Sequence, residues 1–161
     1  MFYSNTMSIL LTSFKMSEKF IDLPTSFEPY SVSRWQPSKY NYKSLDFLGA
    51  YDVNGDRLLL KGSSPDKYKL QLFEFYIKNW KVVDGWLKSL DNDKHIMLCC
   101  WCPYSESTKR QLKEHDSFIC HTGLIGKIIN KFRPDIDVYM DKDHIKLYKP
   151  FQPNRYRIIE L

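Results

Sequence analysis

The chain predicts an α/β fold with a mainly parallel sheet flanked by helices, on three observations. Short runs of strand length recur between longer stretches of helical periodicity. One of these runs, His95 to Cys100, is apolar without alternation, as in a strand covered on both faces. Strands separated by helix-length segments cannot close as tight hairpins, so they pair in parallel through crossovers.

Ser8 to Phe14 is the first β-leaning apolar run, and the charged, proline-containing stretch from Met16 to Glu28 reads as a connection. Pro29 to Trp35 alternates polar and apolar residues and predicts a second strand ending at Arg34-Trp35. Gln36 to Gly49 reads as an aromatic loop with one helical turn around Leu45 to Leu48. Asn54-Gly55-Asp56 is a turn signal. Ser64 followed by Pro65 starts a helix, with a side-chain cap and a proline in the first turn. That helix runs to about Asn79, and Val82, Val83, Trp86, Leu87 and Leu90 give the pattern of a second, ended by residues 91–93. After the His95 to Cys100 strand, Ser105 to His115 has helical propensity but one large aliphatic, so a helix there is mostly solvated. His121 to Phe132 is amphipathic and is stopped by Arg133-Pro134. Asp135 to Met140 alternates as a strand, and Tyr156 to Leu161 adds an edge strand. The expected organisation is a flexible N-terminal arm, residues 1–7, and one α/β domain over 8–161, with an inserted segment near 103–118.

With 161 residues and a high aromatic content, the chain can bury a sizeable core without disulfides or metal. No window approaches 18 apolar residues, which excludes a membrane-spanning helix, and the N-terminus lacks the pattern of a signal peptide. The four cysteines cluster in the second half, two of them adjacent as Cys99 and Cys100, which suits reduced thiols in a cytoplasmic protein. A net charge of +5 permits a small anionic ligand or a nucleic acid as partner without selecting either. Glycine-rich phosphate loops and Gly-x-Ser-x-Gly are missing, which disfavours conventional NAD, ATP-hydrolysing and serine-hydrolase chemistry.

His95 to Asn130 holds all four cysteines and is the candidate site. Cys100 and Cys102 stand where a buried strand ends, and Cys120-His121 opens a helix, where free N–H groups favour a thiolate. One reading is thiol chemistry, with Cys100 or Cys120 as nucleophile and His121 as proton acceptor. A second takes Cys100, Cys102, Cys120 and His121 as a Cys₃His metal set for zinc or iron, although Cys-x-Cys and adjacent Cys-His are unusual zinc spacings. A third pairs Cys102 with Cys120 as a redox switch. Buried cysteine also serves as a small hydrophobe, the simplest account of Cys99. Separately, Arg34, Trp35 and Tyr40 belong to a basic–aromatic cluster. If the strands ending at Arg34 and Cys100 are parallel neighbours, both clusters line one crevice. Arg34 would then hold a phosphate or carboxylate, and Trp35 or Tyr40 would stack on a base. The plain alternative is a surface loop whose aromatics cover the core.

Taken in order, Ile9 to Phe14, Ser31-Val-Ser-Arg34-Trp35, Lys43-Ser-Leu-Asp-Phe-Leu48, the helix Val82 to Leu90, Ile96-Met-Leu-Cys-Cys100 and Cys120-His121 with Leu124-Ile125 resemble domain-of-unknown-function family 488. The resemblance covers roughly residues 8–140. It implies a Rossmann-like fold with a cysteine-lined cleft and assigns no reaction. Cys102 stands where that family usually has Glu, Thr122 stands where it has Arg after Cys-His, and Ser105 to Asp116 is an insertion. If that Glu and Arg bind an anionic or polar ligand in relatives, the resemblance implies that this chemistry is altered or absent here.

Overall fold

Strand Ser8–Ser13 (β1) is buried at all six positions, which only a central strand with cover on both faces can be. The structure, a computed structural model, describes residues 7–22, 27–60, 63–91 and 94–160. Among these, one six-stranded sheet has the order β3-β2-β4-β1-β5-β6, and every pair is parallel. The other strands are Glu28–Ser31 (β2), Lys43–Ser44 (β3), His95–Cys100 (β4), Asp137–Asp141 (β5) and Arg157–Ile159 (β6). The helices are Phe14–Ile21 (α1), Pro65–Lys78 (α2), Trp80–Ser89 (α3), Glu106–His115 (α4) and His121–Phe132 (α5). This is a Rossmann-like α/β architecture, as the sequence predicts, and β6 is the expected edge strand. The expected N-terminal arm lies almost wholly outside the described residues, as do Asn92 and Asp93.

The sheet separates two apolar layers. Leu10, Met97 and Cys99 pack with Phe14, Met16 and Phe20 of α1 on one face. Ile9, Leu11, Ile96, Leu98 and Cys100 pack with residues of α2, α3 and α5 on the other. Strand side chains alternate, so Cys99 and Cys100 necessarily point to opposite faces. Cys99 is therefore a core residue of the α1 layer, while Cys100 faces α5.

The chain leaves β1 through α1 toward β2 on one side of the sheet order, and leaves β4 through α5 toward β5 on the other. Right-handed crossovers in opposite directions place their helices on opposite faces, which accounts for the two layers. The crevice such a reversal opens lies beyond the carboxyl ends of β1 and β4, where Ser13 is paired with Cys100.

Two sequence expectations are corrected. The stretch read as a connection from Met16 is α1, capped by Ser13, whose hydroxyl accepts from Met16 N at 3.0 Å. Its buried Phe14, Ser17 and Phe20 follow helical spacing, but a serine amid the buried residues hid the period. The second strand ends at Ser31 rather than Trp35. Val32 N still reaches Cys99 O at 3.1 Å, and the Ser31 hydroxyl then accepts from Ser33 N at 3.3 Å, turning the chain out of the sheet. Arg34 and Trp35 consequently sit on an exposed loop beyond β2, the direct parallel neighbour of β4.

Helix α5 meets the 147–153 segment closely because it carries glycine on that side. A Cβ at Gly123 would stand 1.8 Å from Phe151 O, and one at Gly126 would stand 2.5 Å from Pro153 Cγ. Backbone cannot yield as a side-chain tip can, so Gly123→Ala is expected to destabilise the fold by about 1–3 kcal/mol or more. Urea denaturation checks this, and an unchanged midpoint would show that the 149–151 turn is free to move away.

Candidate metal centre and adjoining cleft

Three donor atoms converge from three elements. Cys100 ends β4, Cys120 is the N-cap of α5, and His144 opens a short 3-10 turn, His144–Lys146, just beyond β5. Cys100 Sγ lies 3.4 Å from Cys120 Sγ and 3.6 Å from His144 Nε2, and all three donors fall within 4.8 Å of one another. All three side chains are buried.

The local sequence explains why His144 points inward. Asp141, the last residue of β5, accepts at Oδ1 from Asp143 N at 2.8 Å and from His144 N at 3.1 Å, which folds the chain back on itself. Its other oxygen, Oδ2, accepts from Thr12 Oγ1 at 2.6 Å and lies 3.3 Å from His144 Nδ1. That last approach is an ion-pair contact rather than an aligned hydrogen bond, since Nδ1 has no well-angled acceptor. Phe118 braces the turn by pairing with Leu147 and setting its ring edge-on to His144, with 5.8 Å between centroids. The lead-in to Cys120 and the His144 turn thus hold each other.

The charges are strongly coupled. Burial pushes the Cys100 thiol well up, and its thiol neighbours push in the same direction. Burial also opposes a charge on Cys120. There, hydrogen bonds from Cys100, Cys102, His121 and His144 outweigh it and hold that thiol well below the ordinary cysteine range. For His144, burial disfavours the cation, but the Asp141 carboxylate prevails and raises it to about 10. Burial works against the Asp141 carboxylate, yet His144 and Thr12 keep it below its usual value. Thr122 Oγ1 donates to Cys120 Sγ at 3.1 Å from within the first turn of α5.

The sequence-predicted residues divide. Cys100 and Cys120 are brought together. Cys102 is half-buried beside both, with its sulfur accepting from Thr108 Oγ1 at 3.3 Å. It stands outside the trio of mutually close donors. His121 stands beside the trio but outside it: its Nε2–H donates to Val32 O at 2.7 Å, and its Nδ1 faces Cys120 Sγ at 4.0 Å, a long hydrogen bond to sulfur. It ties the start of α5 to the end of β2. His144, Asp141 and Thr12 were missed by sequence reasoning. The available signal was Asp-x-x-His directly after a predicted strand.

Above the thiols lies a cleft of about 650 Å³, lined by Cys100, Cys102, Cys120, His121, Arg34 and Trp35, among others. The Arg34 guanidinium lies over the Trp35 ring at 5.2 Å and near the Tyr51 ring at 5.8 Å. Arg57, which sequence reasoning did not single out, also faces the cleft. Tyr40 does not line it; its ring stacks on Phe14 at 5.5 Å in the α1 layer.

Together, fold and site define a Rossmann-like α/β protein with a Cys₂His cluster under a cleft at the carboxyl end of its sheet. Comparison with known protein families, curated proteins and solved structures gives no significant match. Among the described residues no helix is long and apolar enough to cross a membrane.

Proposed function

We propose that this protein is a metal-binding α/β module, in which Cys100, Cys120 and His144 hold a zinc ion that pins the floor of a ligand-binding cleft. The observation that carries the reading is the convergence of three buried donors from three elements, with Asp141 placed behind the histidine. Tetrahedral zinc, with bonds of about 2.3 Å to sulfur and about 2.0 Å to nitrogen, separates two sulfurs by about 3.8 Å and sulfur from nitrogen by about 3.5 Å. The separations of 3.4 and 3.6 Å match within a few tenths of an ångström. A carboxylate orienting the remote nitrogen of a metal-bound histidine is a recurrent second layer of such sites. Soft sulfur with imidazole favours zinc over oxygen-seeking cations, with iron the next candidate.

Cys102 supplies the fourth donor by turning from Thr108 toward the ion, closing a Cys₃His set that leaves no open position for chemistry. The module is accordingly a binding protein rather than an enzyme. The resemblance to family 488 supports a shared site for Cys100 and Cys120. The four cysteines are free thiols, which suits the reducing cytoplasm. The expected extent of the domain, residues 8–161, stays part of this proposal.

The test is metal content and thiol titration on protein purified natively without chelator. About one equivalent of zinc per chain, with thiols shielded until chelator is added, is the expected result. In the cobalt-substituted protein, Cys102→Ser should reduce the sulfur-to-metal charge-transfer intensity by about a third, as one of three thiolates is lost. No metal, with one thiol alkylated far faster than the others, would overturn the reading in favour of nucleophilic Cys100 or Cys120 assisted by His121.

A further inference from the structure

We infer that the cleft above the thiols binds a mononucleotide, or a closely similar phosphate monoester on a flat aromatic body. The inference deepens the binding-module reading, but it draws on different residues from those that hold the ion.

Two arginines face the same cleft, Arg34 and Arg57, and both are exposed. Among the described residues neither has a carboxylate within ion-pair distance. Arg34 is nonetheless positioned, with its guanidinium carbon 5.2 Å from the Trp35 ring centroid and 5.8 Å from that of Tyr51, and a guanidinium beside aromatic rings keeps N–H groups with which to donate. A phosphate monoester carries a charge of about −1.5 to −2 near neutral pH, which two guanidinium groups match better than they match one carboxylate. Glu106, the acid that lines the cleft, faces Lys109 at 3.5 Å and offsets little of this charge.

The aromatic half of the ligand follows from the tryptophans. Trp35 is 67% exposed and Trp101 is 44% exposed, although indole is among the most costly surfaces to leave in water. The Trp101 indole is held: its N–H donates to the Trp35 carbonyl at 2.6 Å, which ties the loop after β2 to the residue following β4. Two exposed indoles at the rim of a cleft, that of Trp101 anchored, offer stacking faces, and base–aromatic stacking contributes about 1–3 kcal/mol. A volume of about 650 Å³ is within the usual range for a small-molecule site. The cleft also opens at the topological switch point, where α/β sheets bind such ligands. The hydroxyls of Ser105, Ser107 and Thr108 line the same cleft and provide polar contacts for a base or sugar.

The test is isothermal titration of the full chain, zinc-replete, with AMP and UMP, and with inorganic phosphate, adenosine and a short single-stranded oligonucleotide as comparison arms. At least one mononucleotide is expected to bind about tenfold or more tighter than either phosphate or adenosine. Arg34→Gln and Arg57→Gln should each weaken it about tenfold with zinc content and circular dichroism unchanged. The inference is overturned if neither mononucleotide binds, or if both arginine variants bind like the parent. Phosphate binding as tightly as the nucleotides removes the aromatic half, and tighter, salt-sensitive oligonucleotide binding makes the face a nucleic-acid surface instead. Zinc is measured separately, so a chain that binds zinc but no nucleotide refutes this inference alone. Nucleotide binding without zinc refutes the metal reading alone.

Discussion

His144→Ala is expected to weaken zinc binding by roughly a hundredfold or more. Structural zinc contributes about 10–16 kcal/mol through four ligands, so each carries about 3 kcal/mol, and 1.4 kcal/mol corresponds to tenfold. Asp141→Asn keeps the size of the side chain and removes the charge behind the ring. It should cost about 10–100-fold in affinity without changing which atoms bind the ion. His121 gives the contrast. Its Nε2–H is committed to Val32 O at 2.7 Å, so His121→Ala should lower stability while leaving zinc affinity within about threefold. Competition against a chromophoric chelator measures all three variants. The opposite ranking, with His121 essential and His144 dispensable, would refute the assignment. Circular dichroism separates loss of the site from loss of the fold.

The strand-end and helix-start cysteines are legible in the sequence because local periodicity reports where an element begins and ends. Cys100 closes an unbroken apolar run, and Cys120 precedes an amphipathic one. His144 falls beyond β5 and within no periodic pattern, so periodicity does not point to it. What brings His144 to Cys100 is sheet order: β5 and β4 flank β1 on opposite sides, so residues far apart in the chain end side by side. The difference between Cys99 and Cys100 was legible, since adjacent strand residues face opposite layers. Arg34 and Trp35 were linked to the cysteines through the conjecture that their strands are parallel neighbours, which the sheet bears out. The alternation predicts a longer strand than the fold keeps, because Ser-x-Ser continues the β pattern while Ser31 is already turning the chain out. Arg57 had no such signal. It follows the Asn54-Gly55-Asp56 turn, and only the tertiary fold brings that turn's exit to the cleft.

Removing zinc is expected to lower the melting temperature by roughly 8–16 °C. A ligand that binds only the native state stabilises it by about 4.1 kcal/mol when its free concentration is a thousand times the dissociation constant. For a chain of this size, each kcal/mol moves the midpoint by about 2–4 °C. The loss should concentrate where the ion is held. Hydrogen exchange should rise first at the start of α5, at the end of β4 and across the 141–148 turn, while β1 stays protected. The sign of the pH effect follows from the donors: thiolates and a neutral imidazole are needed, so binding releases protons and affinity falls as pH falls. The zinc-dependent part of the melting temperature should therefore shrink on acidification and return on neutralisation. Scanning calorimetry of replete and chelated protein at two pH values measures it. Identical midpoints with and without chelator would mean that the Asp141–His144 contact and the apolar layer around Cys100 hold the site without an ion, and the cluster would then stand as a set of core thiols.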